Sequence, residues 1–165
     1  MKPNWFVALP CLDTDWFSRG IDSAPTPARV RAFAAEDLHL TVAFLGSVEE
    51  SAARAAFAER WRWPGGEIDV GLGELAALGP QRRFSALSLL LDQGRDAVEH
   101  GMSLCRDPMR LAAGLVPEQR SPLAHITVAR PQRRATDEER AAALRWARNL
   151  RFDAGELRLS EIALY

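Results

Sequence analysis

The chain has 165 residues, 47% of them hydrophobic, with 21 basic and 22 acidic side chains and a net charge of −1. Such a length and apolar content can bury the core of one domain or of two small fused lobes, which excludes a disordered or low-complexity chain. The charge balance excludes a surface that is basic throughout and grips long duplexes by electrostatics alone.

Trp5 to Pro10 reads as an opening strand. A helix after it is poorly specified, because Asp22-Ser23-Ala24-Pro25-Thr26-Pro27 interrupts the stretch, and a loop is the expectation. A strand over residues 38–45 ends at Gly46, and Ser47-Val48-Glu49-Glu50 has the pattern of a capping box. It predicts a helix to about Arg62 with Ala53, Phe57 and Trp61 along one stripe, stopped by Pro64-Gly65-Gly66. Ile68, Val70 and Leu72 alternate as a half-buried strand, and the apolar run from Phe84 to Leu91 suits a central one.

The second half repeats the plan. Asp92 is placed to cap a helix from about Arg95, with Val98, Met102 and Cys105 inward, Pro108 as a kink and Gly114 as terminator. A strand over residues 125–130 stops at Pro131, and Thr136-Asp137-Glu138-Glu139 is a second capping box, opening a helix to about Leu150. Leu157 and Leu159 share one parity and Ile162 and Leu164 the other, which requires a break between two closing strands. This alternation fits a doubly wound parallel sheet as well as an antiparallel α+β arrangement.

Two near-copies of one pentapeptide lie in these strands, His39-Leu40-Thr41-Val42-Ala43 and His125-Ile126-Thr127-Val128-Ala129, and they use two of the three histidines. Strand side chains alternate between faces, so His39 and Thr41 share one face about 7 Å apart while Leu40 and Val42 enter a core. The same holds for His125 and Thr127. The copies, half a chain apart, imply an internal duplication with one motif in each half. Two imidazoles able to move protons near neutral pH, beside two hydroxyl donors, suit acid–base work on an anionic phosphate.

With Trp5-Phe6-Val7-Ala8-Leu9-Pro10, the first motif extended through Phe44-Leu45-Gly46, and the second through Arg130, the chain resembles the two-histidine phosphoesterases. Within them it is similar to the bacterial RNA 2′,3′-cyclic phosphodiesterases, also called 2′-5′ RNA ligases. Ala124 stands where that family usually has proline. The resemblance implies an α+β protein whose residues 1–165 form a single domain of two pseudo-symmetric lobes. Each lobe would be a mostly antiparallel sheet with outer helices, around a central cleft. It also implies hydrolysis of RNA 2′,3′-cyclic phosphate ends to a 2′-phosphate without metal or cofactor. His125 would activate water, His39 would protonate the leaving oxygen, and Thr41 and Thr127 would hold the phosphate.

RNA 3′ ends or small cyclic nucleotides are the partners so implied. Alternatives are another cyclic nucleotide or a 2′-5′ linkage as substrate, or a non-catalytic module that only binds nucleotides or RNA ends. Arg130 matches a position often basic in the family and is a candidate phosphate clamp, although an undistorted strand would turn it away from His125. Arg82, Arg83 and Phe84 are weaker candidates for backbone and base contacts with a single strand. His100 has no partner motif and reads as structural or exposed. Two histidines without a carboxylate or thiol at ligand spacing make a poor zinc site. Ser103 and Ser121 lack the turn of a nucleophilic serine, and no glycine-rich phosphate loop occurs.

Cys11 and Cys105 are too few for a disulfide framework and form no Cys-x-x-Cys pair, so free thiols in a cytoplasmic protein are expected. The apolar run Trp5 to Leu9 is too short for a signal sequence. No run approaches the roughly 20 apolar residues of a membrane span.

Overall fold

Strand formation in this chain follows the β-branched and aromatic alternation around the two motifs, and the remaining strands pair outward from them. A computed structural model describes residues 3–165. The elements run β1 (Trp5–Pro10), α1 (Asp15–Ile21), β2 (Val30–Ala32), β3 (His39–Gly46), α2 (Glu50–Ala58), β4 (Ile68–Leu78) and β5 (Ala86–Leu91). They continue α3 (Arg95–Ala112), β6 (His125–Pro131), α4 (Asp137–Asn149), β7 (Glu156–Leu159) and β8 (Ala163–Leu164).

The strand order is β7-β4-β5-β6-β3-β1-β8, with β2 added beside β6, and the pairs are antiparallel. This rules out the doubly wound parallel alternative and gives the α+β class. The motif strands β3 and β6 are neighbours at the middle but share a single register pair, Leu40 with Ile126. On its far side β3 is zipped to β1 along its length, and β6 to β5. Two antiparallel half-sheets therefore meet at a narrow seam, with one motif on each side.

One face of this sheet is apolar and covered. Leu9, Leu40, Val42, Leu89, Leu91, Ile126 and Val128 pack in one cluster with Val98, Met102, Cys105 and Met109 of α3. Those helical positions recur every three or four residues, as a single buried stripe demands. A smaller cluster joins Leu87 and Ala129 to Ala143, Trp146 and Ala147 of α4. Cys11 and Cys105 are free, and burial raises both thiols, to about 12 and about 11. No helix among the described residues is long and apolar enough to cross a membrane.

Several sequence expectations need correction. Asp15–Ile21 does form a short helix where a loop was expected, buried through Trp16 and Phe17 before the proline-rich stretch begins. Ser47 does not cap α2. Glu49 is extended, the helix begins at Glu50, and Glu50 pairs with Arg54 one turn on. Residues beyond Ala58 tighten into a 3-10 turn, which throws Trp61 off the inner stripe to 69% exposure. Trp63 packs instead against Gly101, where a Cβ would lie 2.6 Å from its ring. Gly94, in a left-handed conformation, precedes α3 in place of Asp92, and Pro108 lies inside the helix. Phe84 precedes β5 and is buried beside Trp146, so it is not available to a base.

Candidate active site

Each motif strand carries a bulge at the same place. On β3, Ala43 pairs with Val7 and Thr41 with Ala8, leaving Val42 without a partner. On β6, Ala129 pairs with Leu87 and Thr127 with Ser88, leaving Val128 so. An extra residue in one strand reverses the parity beyond it. Val42 and Ala43 are consequently both buried, as are Val128 and Ala129, and the next residue returns to the histidine face. That residue is Phe44 in one copy and Arg130 in the other. The parity objection to Arg130 is thus removed by a bulge that the duplicated motif builds twice.

The same face therefore presents His39, Thr41 and Phe44 from β3, and His125, Thr127 and Arg130 from β6. Because the strands are antiparallel about Leu40 and Ile126, the residues flanking that pair set His39 opposite Thr127 and Thr41 opposite His125. The two imidazoles stand on a diagonal. His39 and Arg130 line one hollow with Phe6, Arg31, Phe33 and Tyr165. Thr41, Phe44, His125, Thr127 and Arg130 line a second, bounded by Ser85 and Arg106. Arg130 is common to both, so the hollows adjoin at this residue.

Both rings are held in the same way. Nδ1 of His39 lies 2.6 Å from the carbonyl oxygen of Asp37, and Nδ1 of His125 lies 2.7 Å from that of Leu123. A carbonyl only accepts, so Nδ1 carries the proton and donates in each case, leaving Nε2 as the working nitrogen. Phe6 stacks on the His39 ring with centroids 4.7 Å apart, and Tyr165 stacks on Phe6 at 5.1 Å.

Burial lowers the pKa of both histidines below 6.5, and the carbonyl contacts only partly offset it. The Arg130 charge lowers both further, and the His125 charge also lowers His39. Desolvation and a nearby cation both disfavour the imidazolium.

Three residues of this face were missed in the sequence. Ser88 is fully buried and its hydroxyl lies 3.0 Å from that of Thr127, whereas the matching partner of Thr41 is Ala8. Only the second threonine is thus oriented by another hydroxyl. Arg31 is the register partner of Arg130 across β2 and β6, and neither has a carboxylate partner among the described residues. Like charges directly opposite on a sheet are unfavourable alone. Phe44 is 54% exposed at the rim of the second hollow. The bulge on β3 brings Phe44 to this face, and strand register brings Ser88 and Arg31.

His100 is exposed on α3, away from the two hollows. Among the described residues no group of three or more His, Cys, Asp or Glu could hold a metal ion.

No family model and no curated protein matches the chain. Solved structures do. Escherichia coli LigT complexed with 3′-AMP superposes with a TM-score of 0.71 over 100% of this chain and 88% of that one, at 20% identity. The chain has the fold of LigT. A structure described as a phosphoesterase matches similarly, with a TM-score of 0.70, 20% identity, and the same coverage of 100% and 88%. TT0787 of Thermus thermophilus matches at 0.61 with 16% identity, over 98% of this chain and 87% of that one. The central seam of this fold lies between the two His-x-Thr strands.

Proposed function

We propose that the protein is a working two-histidine phosphoesterase that opens 2′,3′-cyclic phosphate ends of RNA, or of small nucleotides, to a 2′-phosphate. The observation that carries this reading is the pair of imidazoles across the seam, each with Nδ1 committed to a carbonyl, flanked by two threonines and by Arg130, which no carboxylate among the described residues neutralises. LigT, similar in fold, has been crystallised with 3′-AMP, ATP, NADP+ and phosphate, which supports a nucleotide phosphate as the ligand.

In the reaction, Nε2 of His125 takes a proton from water as the water oxygen bonds to phosphorus. The bond from phosphorus to O3′ breaks in line, and the departing oxygen takes the proton from Nε2 of His39. Thr41, Thr127 and Arg130 donate to the non-bridging oxygens, where charge builds up. The division of labour between the histidines follows the family resemblance. Before substrate binds, both rings favour the neutral form. An anionic phosphate favours the charged form of its neighbour, and so supplies the one protonated ring that the acid step needs.

The test is turnover of a 2′,3′-cyclic nucleotide by the wild type, His39→Ala and His125→Ala, each shown to be folded by circular dichroism. Each substitution should cost about 10²- to 10⁴-fold, as loss of a general acid or base does. Phosphorus NMR should show the 2′-phosphate as product, and turnover should survive exhaustive chelation. Near-wild-type rates in either folded variant would refute the site, and a 3′-phosphate product would refute the orientation.

A further inference from the structure

The cleft does not end at Arg130. Past Ser85 and Arg130, which also line the hollow around His125, a groove continues between Arg83, Pro131, Arg133 and Arg140. It opens beyond Arg83 and Arg133 into a depression of about 630 Å³ walled by Arg83, Arg133, Arg134 and Ala135. Shared residues link the three spaces into one path that leaves the candidate site.

The arginines come from two loops. Arg83 lies in the turn between β4 and β5, and Arg133 and Arg134 in the turn between β6 and α4. Each is exposed, and none has an ion pair or a side-chain hydrogen bond among the described residues. Elsewhere, arginines such as Arg54, Arg95 and Arg158 are matched with carboxylates. Asp137 and Glu138 stand in the first turn of α4 beside this loop but form no bridge to it. On a chain of net charge −1, such a concentration of uncompensated charge is local.

The loops are also fixed to one another. Arg140 is only 6% exposed and has no carboxylate partner among the described residues. Its guanidinium donates to the carbonyl of Phe84 at 2.5 Å in one loop, and to those of Gln132 and Arg133 at 3.4 and 3.3 Å in the other. A buried cation is costly unless its donors are paired, and three carbonyls divided between two turns hold both terminal nitrogens only while the turns stay together, Nε being left without a partner among the described residues. Internal bonds stiffen each turn further, Arg83 N to Pro80 O and Ala135 N to Gln132 O, both at 2.9 Å. The groove is a preformed wall.

We propose that this groove binds the backbone phosphates of a single-stranded RNA upstream of the reacting end, making oligonucleotides rather than mononucleotides the preferred substrate. This rests on the phosphodiesterase reading of the site. A cyclic phosphate terminates a chain, so everything before it must leave the cleft, and the exit past Arg130 is cationic and open. The hollow on the other side of Arg130 is walled by Phe6, Phe33 and Tyr165, with Asp37 present beside Arg31. Single strands are held by such tracks of positive charge, which need no base-specific contact. Phe84 adds no stacking platform, since it is buried, so little base preference is expected along the track.

The test compares kcat/KM for a 2′,3′-cyclic mononucleotide and for an eight-nucleotide RNA carrying the same cyclic end, in the wild type and in the double variant Arg83→Ala/Arg133→Ala. The RNA should be preferred by about tenfold or more at low salt. The double variant should lose that preference through a raised KM and leave mononucleotide turnover unchanged. Losing two phosphate contacts should flatten the dependence of log KM on log salt by about 1.4, at roughly 0.7 per contact for single strands. Arg83→Lys/Arg133→Lys, which keeps the charge, should retain most of the preference.

Fluorescence anisotropy with a labelled 3′-phosphorylated oligonucleotide separates this proposal from the one beneath it. Binding that depends on Arg83 and Arg133 without any hydrolysis would sustain the groove and overturn the catalytic reading. Hydrolysis with no preference for RNA, or equal losses on both substrates in the double variant, would overturn the groove.

Discussion

Arg130 shows how one side chain's role depends on a feature invisible in its own neighbourhood. A strict period of two points it away from His125, and only the unpaired Val128 turns it back. Once there, it acts on both histidines. Burial, with its charge added, holds both imidazoles below 6.5, so the bell-shaped profile of kcat/KM, which reports the coupled pair in the free enzyme, should peak on the acid side of neutrality. Removing the cation in Arg130→Ala eliminates a cause of lowering, so both apparent pKa values rise. The whole profile should move to higher pH while its height falls with the loss of the phosphate contact. Arg130→Lys keeps the charge but not the planar fork, so its limbs should stay in place at reduced height. Limbs that do not move in Arg130→Ala, measured on a cyclic nucleotide, would show that the guanidinium does not govern the pair.

Two segments of the chain spell a capping box, and only one forms it. At Thr136 the hydroxyl accepts from Glu139 N at 3.1 Å and the Glu139 carboxylate accepts from Thr136 N at 2.8 Å, closing the reciprocal pair ahead of α4. Ser47 forms no cap, because Glu49 is still extended and α2 begins only at Glu50. Thr136→Ala should therefore cost about 1 kcal/mol in urea unfolding, and Ser47→Ala should stay within about 0.5 kcal/mol of wild type. The contrast marks what the sequence could disclose. The motif strands, α3 and α4 declare themselves through periodicity long enough to be unambiguous, and the two His-x-Thr units declare the site. What escaped is what tertiary pairing decides. The three residues of β2 pair only with β6, and β4 runs past Leu72 because β5 takes over from β7 as its partner. Ser88 becomes notable only when the register sets it beside Thr127.

At the scale of the molecule, two half-sheets share a single register pair at the surface that carries the site, yet one core cluster runs beneath both. Val7, Leu9, Leu40 and Val42 on one side meet Leu89, Leu91, Ile126 and Val128 on the other, over the inner stripe of α3. A shared core makes the halves cooperative, so heat should unfold the chain in one transition, with tryptophan fluorescence and circular dichroism coincident. Leu40 tests this most directly, being fully buried at the seam and lying between His39 and Thr41. Leu40→Ala should cost about 2–5 kcal/mol and lower Tm by several degrees, at roughly 2–4 °C per kcal/mol for a chain of this size. The transition should remain single. Its folded form should also turn over more slowly at 25 °C, because the cavity lies directly under the two strands that present the histidines. Val70→Ala, equally buried where β4 pairs with β7, should lose stability without that loss of rate. Two separate transitions in the wild type, or equal effects of both substitutions on turnover, would show that the seam does not hold the site together.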